Sequence, residues 1–332
     1  MRWSRLSVAA FLVMGLLVLG TLNIAGRLPI NGPTEPQLMK QRYEAIAGKD
    51  AVSLGGSIGT AIDFDAMCVS GARFYNNGQD VFETEALVDL ILSRPDAPQI
   101  ILLVTSPTSI GHDNGLPALA GAYQRRFTYR FLHGEGEFGL IDGDLRQAVF
   151  AEAMPAIGHH LRNPWHGAAL RWLGRLPAPD VTTAADTRSI DPRQAEALAK
   201  AQVAAWQADA TEIAYFDPHV HARTRAALLR IAEKVEDRGA QLVVVLPPFI
   251  DQMSDPLREA GWTKIDAFWP LLQDLERRNA LVLNDWDNRA ARLDPSHFRD
   301  AVHLNAPGAK EYSKKVGREL RRQKLVQRRD CK

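Results

Sequence analysis

The sequence predicts an α/β fold: a three-layer α/β/α sandwich around a central parallel sheet, with a helical insertion and an N-terminal transmembrane helix. Three observations predict it. Short, continuously apolar runs, Gln99–Thr105 (QIILLVT) and Gln241–Leu246 (QLVVVL), have the character of strands buried on both faces. Such runs alternate with segments of helical period, the order that builds a parallel sheet through crossover helices. A run of 21 residues without a charge, Leu6–Gly26, stands at the N-terminus.

That run is long enough to cross about 30 Å of hydrocarbon as a helix. Arg2 and Arg5 precede it, so the positive-inside tendency keeps the N-terminus cytoplasmic and places everything after Arg27 outside. Asn23-Ile24-Ala25 is a poor small-x-small cleavage site, and the run is long for a signal peptide; an uncleaved anchor is predicted over residues 1–27. Residues 28–48 form a stalk, marked by Pro29, Gly32 and Pro33, and a leading helix that stops at Gly48. The main domain spans 49–326, and 327–332 is a basic tail.

Within that domain, Ala51–Leu54 is a short strand that ends in Gly55-Gly56-Ser57. Val69–Asn77 is a second strand closed by Gly78, and Glu85–Ser93 a helix. Gln99–Thr105 is the third strand. From about Gly111 to Tyr215 the rhythm stops; this stretch is helix-like, carries Trp165, Trp172 and Trp206, and is predicted to be an insertion over the sheet. Thr224–Arg238 is an amphipathic helix ending at Gly239, followed by the strand Gln241–Leu246. Lys264–Arg278 is helical, Leu281–Leu283 the last strand and Pro307–Leu325 the closing helix.

Composition sets limits on function. The 332 residues are 46% hydrophobic and 24% charged, ordinary for a globular chain, with one long apolar run rather than the many of a polytopic membrane protein. Forty basic residues face 39 acidic ones, so no basic excess points to nucleic acid. Cys68 and Cys331 are too few for a disulfide scaffold or a four-thiolate zinc site; they allow one disulfide, which nothing in the sequence demands.

Ligands of α/β sheets gather at the carboxyl ends of the strands. Gly55-Gly56-Ser57-Ile58-Gly59 leaves the first strand there, and small residues around a serine allow a tight turn with an exposed hydroxyl. Near the other end, Asp300-Ala301-Val302-His303 has an i, i+3 spacing that lets the carboxylate reach Nδ1 of the imidazole and turns Nε2 outward as a base. Taken alone, the first segment reads as an ordinary glycine turn and the second as a solvated helix start. Together, in this order and position, they resemble the SGNH (GDSL-like) hydrolase superfamily. The block Phe298–Ala309 (FRDAVHLNAPGA) is especially close to the terminal block of that family.

The resemblance implies an SGNH/flavodoxin-like fold over roughly Lys49–Glu319. It implies Ser57 as nucleophile, His303 as base and Asp300 as the acid that orients it. It also implies an oxyanion hole from the N–H groups of Ser57 and Gly78. Two departures stand out. The usual Gly-Asp-Ser is Gly-Gly-Ser here, with Gly56 in place of the aspartate. The family's third-block asparagine is not evident after the strand Gln99–Thr105; Ser106 or Thr105 is the nearest replacement, and Asn114 a more distant one.

The anchor, the outward domain and the block around His303 resemble most the membrane-anchored DltD-like branch, which includes the teichoic-acid D-alanylation protein and related exported proteins. That likeness implies acyl transfer to or from a cell-envelope polysaccharide or related polymer, beside a membrane-bound O-acyltransferase partner, with no metal or organic cofactor. A plain carbohydrate esterase or lipase is the alternative, and a non-catalytic subunit that binds polymer or carrier is the non-enzymatic one. An intact Ser57, Asp300 and His303 set argues against the last.

Other motifs weigh less. His219-Val220-His221 has metal-like spacing, but Asp217-Pro218 before it are helix-start signals. His159-His160 reads as a helix surface or groove. Leu161–Leu176 mixes Trp165 and Trp172 with Arg162, Arg171 and Arg175, which fits a cap helix with its apolar face on the core better than an interfacial helix. Nine Lys or Arg residues between Lys314 and Lys332 read as a solvated helix face rather than a lipid contact.

Overall fold

The structure is a computed structural model, and it describes residues 10–18, 20–21, 35–114, 128, 131–132, 134–135, 187–210, 217–261, 268–286 and 293–327. Trp165, Trp172, His159-His160, the Leu161–Leu176 segment and Cys331 lie outside the described residues.

Five parallel strands form the sheet: β1 (Ala51–Gly55), β2 (Gly71–Tyr75), β3 (Ile100–Val104), β4 (Gln241–Leu246) and β5 (Leu281–Asn284). Their order is β2-β1-β3-β4-β5, that of flavodoxin-like doubly wound sheets. Every residue of β1 and β3 is buried, so the sheet centre is covered on both faces. The two apolar runs read from the sequence are β3 and β4.

The helices are α1 (Glu35–Glu44), α2 (Phe64–Met67), α3 (Val81–Leu92), α4 (Ala195–Ala210), α5 (Pro218–Asp237), α6 (Ser254–Glu259), α7 (Phe268–Glu276) and α8 (Ala306–Arg322). Among them, α3 packs on α5 and α5 on α7, while α8 packs on α2 and on the turn after β1. Arg230 and Lys234 of α5 clamp Glu85 of α3, and Lys234 also reaches Asp89 at 2.7 Å. Tyr312, Val316 and Leu320 form the buried stripe of α8 at helical spacing.

The element boundaries differ from expectation for identifiable reasons. Helix α3 begins at Val81, not at Glu85, because Asp80 and Glu83 close a capping box: the Asp80 carboxylate accepts from the Glu83 N–H, and Glu83 accepts from the Asp80 N–H. Helix α5 begins at Pro218 rather than Thr224, since the Asp217 carboxylate caps the His219 N–H at 2.8 Å. Strand β2 is shorter than Val69–Asn77 because Cys68 stands in the left-handed region (φ +58°) just before it and the Asn76 N–H crosses to Gly55 O at 3.3 Å just after. Of the insertion, the described part contributes α4, whose Ala195, Ala199 and Val203 are buried.

Residues 10–18 and 20–21 are helical, and Phe11, Leu12, Val13, Met14, Leu16, Leu17 and Val18 are exposed. Among the described residues no helix is long and apolar enough to cross a membrane. Cys68 is disulfide-bonded.

Gly55 fixes how β1 leaves the sheet. Its φ is +136°, and a Cβ there would lie 2.1 Å from the Val104 carbonyl oxygen of β3. Substitution to Ala meets both an unfavourable backbone conformation and a backbone clash that no rotamer relieves. Gly55→Ala is expected to destabilise the domain by more than about 2 kcal/mol, measured as a shift in urea midpoint at unchanged slope.

Candidate active site

Ser57 follows Gly55 and Gly56 and opens a single 3₁₀ turn, Ser57–Ala61. The Gly59 N–H donates to Gly56 O at 2.9 Å, and the Thr60 hydroxyl donates to Ser57 O at 2.9 Å. The turn therefore holds the Ser57 backbone through its own atoms and leaves the side chain at the carboxyl edge of the sheet.

The opposing wall is the loop before α8. Phe298 and Leu304, both buried, form an isolated antiparallel bridge, and the Arg299 N–H donates to His303 O at 2.9 Å. Inside this loop the Asp300 carboxylate accepts from the N–H groups of Val302 (3.0 Å) and His303 (2.8 Å), a turn closed by its own side chain. Asn305 then caps α8, its carbonyl accepting from Gly308 N–H at 2.9 Å and its amide donating to Ser296 O at 2.6 Å.

The two walls meet. Ser57 Oγ lies 2.7 Å from His303 Nε2, and His303 Nδ1 lies 2.9 Å from both oxygens of Asp300. An ionised carboxylate only accepts hydrogen bonds, so Nδ1 carries the proton and Nε2 of the neutral ring is free to accept from the Ser57 hydroxyl. Burial pushes the Asp300 carboxyl up, but the hydrogen bond and charge of His303 and the two backbone N–H groups outweigh it and hold the pKa below the ordinary 3.8. Asp300 thus stays an anion at neutral pH, and its 42% side-chain exposure favours the same state. Ser57, His303 and Asp300, three residues from two ends of the chain, are brought into one hydrogen-bonded line.

A pocket of about 230 Å³ opens over this line. Gly78 and Ser106 line it beside Ser57 and His303, as do Trp206 of α4 and Trp286 after β5. The Ser106 hydroxyl bonds Thr108 Oγ1 at 2.7 Å, and Thr105 Oγ1 bonds Ser109 Oγ at 2.6 Å. Asn114 is fully buried behind the pocket, where its amide donates to Gly78 O and to Glu83 Oε2, each at 2.8 Å. His112, which sequence reasoning passed over, lines the pocket with Nε2 3.3 Å from Gly78 O. Trp286 was missed as well: nothing in its sequence context sets it apart from a core aromatic, and it stacks edge-on against Phe249 at 4.7 Å.

Glu83 lies at the heart of the buried group behind Gly78. Burial raises its pKa from 4.5 to about 8, and the Asp80 charge acts in the same sense, while hydrogen bonds from Thr128, the Asp80 N–H and Asn114 pull the other way. Away from this pocket, His219 and His221 stand at the capped start of α5, and among the described residues no group of three His, Cys, Asp or Glu could hold a metal ion.

No protein-family model matches this chain, and no curated protein matches it.

Two outcomes follow from this geometry. Asp300→Asn leaves an amide that can donate to Nδ1 and stabilise the wrong ring tautomer. If the line performs serine acyl transfer, turnover of an activated ester drops about 10⁴-fold in this variant, with little change in melting temperature. Glu83 holds its proton more tightly folded than unfolded, so its contribution to stability is full below about pH 4.5 and is lost as pH rises to about 8. Glu83→Gln cannot titrate. The melting midpoint of the wild type should therefore fall relative to this variant across that interval and keep a constant offset above it.

Proposed function

We propose that this protein is a serine-dependent O-acyltransferase or esterase of the SGNH type, with a three-layer α/β/α domain held on the outer side of a membrane. The observation that carries the reading is the Ser57–His303–Asp300 line with its 2.7 and 2.9 Å contacts. Ser57 Oγ attacks the carbonyl carbon of an acyl ester or thioester while His303 Nε2 takes the hydroxyl proton. Asp300 keeps the ring oriented and stabilises the imidazolium that forms. The N–H groups of Ser57 and Gly78 receive the developing oxyanion, and Ser106, which lines the same pocket, is the candidate third donor. The imidazolium then protonates the leaving oxygen or sulfur, and an acyl-serine remains. An acceptor hydroxyl gives its proton to His303, attacks the acyl carbon and releases Ser57. Every step uses groups of this chain, and no metal or organic cofactor is needed.

Two further observations support an extracytoplasmic setting. A disulfide at Cys68 fits an oxidising compartment. The apolar side chains from Phe11 to Val18 stand exposed on their helix, as a bilayer would accept and water would not. On this reading residues 1–27 anchor the chain with its N-terminus in the cytoplasm, and a membrane-bound O-acyltransferase supplies acyl groups for an envelope polysaccharide. Trp206 and Trp286 give the pocket the flat apolar walls on which a sugar ring stacks.

The chemistry is tested with a fluorophosphonate. Ser57 should carry the adduct in the wild type, and Ser57→Ala should remain unlabelled; labelling at another serine overturns the assignment. The acceptor is tested separately. Positioning a sugar hydroxyl against the acyl-enzyme is worth up to roughly 7–11 kcal/mol. Added oligosaccharide should therefore be acylated faster than the acyl group is lost to water. Rapid hydrolysis with no acylated sugar would make water the acceptor and leave the three residues in their roles.

A further inference from the structure

Gly78 enters the pocket from the turn after β2 with a φ of +67°, a conformation that neither the strand before it nor the helix after it imposes. Its carbonyl is where the turn is held. Asn114 Nδ2 donates to Gly78 O at 2.8 Å, and His112 Nε2 lies on the same oxygen at 3.3 Å. Both donors come from the turn after β3.

Asn114 is itself held on two sides. Its second amide hydrogen goes to Glu83 Oε2 at 2.8 Å, and its backbone N–H goes to Asp80 Oδ2 at 2.8 Å. Both acceptors lie at the start of α3. Gly78 O and Glu83 Oε2 are acceptors, which fixes the amide with its nitrogen toward them. Glu83 is fixed in turn by the Asp80 N–H at 2.9 Å and the Thr128 hydroxyl at 2.6 Å. Asn114, Glu83 and Thr128 have no exposed surface, and Asp80 has 2%.

Capping α3 requires only the reciprocal pair of Asp80 and Glu83. The bonds through Asn114 add nothing to that cap. What they do is tie the turn after β3 to the start of α3, with the Gly78 carbonyl held between them. A dry network of this kind tolerates little displacement, because each bond lost leaves a buried polar group without a partner.

We propose that Asn114, braced by Glu83, is a positioning residue that holds the Gly78 carbonyl and, through it, the turn in which the Gly78 N–H faces the acyl oxygen at Ser57. The proposal rests on the serine acyl-transfer reading above. It assigns Asn114 a role behind the pocket rather than in it.

The test uses the full chain and an activated acetyl ester, with kcat, KM, fluorophosphonate labelling and melting temperature measured on each variant. Asn114→Ala should lose about 100-fold in kcat, the cost of displacing or losing one oxyanion donor, while KM shifts less than about threefold. Glu83→Ala should do the same through Asn114. Glu83→Gln keeps an acceptor for the Asn114 amide and should recover most of the loss. Where Asn114→Ala does not fold, Asn114→Ser retains one donor in place and should show a smaller loss of the same kind. A brace that serves folding alone would lower the melting temperature of Asn114→Ala yet leave kcat near wild type, and that result overturns the proposal. An effect confined to KM, or no recovery in Glu83→Gln, overturns it too. Failure of the parent reading looks different: the wild type itself would neither label at Ser57 nor turn over the ester in a manner lost in Ser57→Ala.

Discussion

The approach of β1 to β3 at Gly55 governs the site. Parallel strands all deliver their carboxyl ends to one edge of the sheet, and in the order β2-β1-β3-β4-β5 the chain crosses over in opposite directions on the two sides of β1. A crevice is left between the segments that follow β1 and β3. Gly55 lies so close to the Val104 carbonyl that no side chain fits between them. The strand exit is thereby pinned, and Ser57, two residues on, inherits that position. The Gly78 turn after β2, the Ser106–Asn114 turn after β3 and Trp286 after β5 reach the same edge because their strands run the same way.

His303 and Asp300 depend far less on the sheet. Their loop closes on itself: the carboxylate of Asp300 organises the backbone of the two residues whose side-chain geometry it also sets. What the fold supplies is the location of this loop, through the buried anchors Phe298 and Leu304 and the Asn305 cap on α8. The locally determined Asp300–His303 pair and the sheet-determined Ser57 thus meet across 246 positions of sequence.

This division explains what could be read from the sequence. The central strands show as unbroken apolar runs because both faces are covered, and Asp300-Ala301-Val302-His303 shows because its geometry is local. The strand-exit glycines are legible for the same reason. Asn114 could not be placed, since whether an asparagine after β3 faces the pocket or the start of α3 depends on packing between two turns 36 residues apart. Its signal lay elsewhere: Asp80-Val81-Phe82-Glu83 has the spacing of a capping box, and reading it would have moved the start of α3 from Glu85 to Val81 and put two carboxylates behind Gly78. Trp286 and His112 carry no local pattern at all; only the strand order makes them neighbours of Ser57.

The polar groups around the pocket are held in two contrasting ways. Asp300 and His303 remain partly solvated, their side chains 42% and 18% exposed, and are kept in place by a few short local bonds. The group that holds Gly78 is dry and many-membered. On the acyl-transfer reading, the difference matches what each would do. An imidazole has to take up a proton and give it away, so an accessible environment with a single strong partner suits it. A peptide N–H that receives developing negative charge stabilises it most when nothing has to reorganise as the charge appears, and rigidity comes from many buried hydrogen bonds acting together. Raising the Glu83 pKa is a consequence of that burial, not a catalytic need. A carboxyl that is largely neutral at pH 7 spares the network an uncompensated charge beside Asp80, and the same atoms that would strain the fold as two buried anions instead hold, through Asn114, the Gly78 carbonyl.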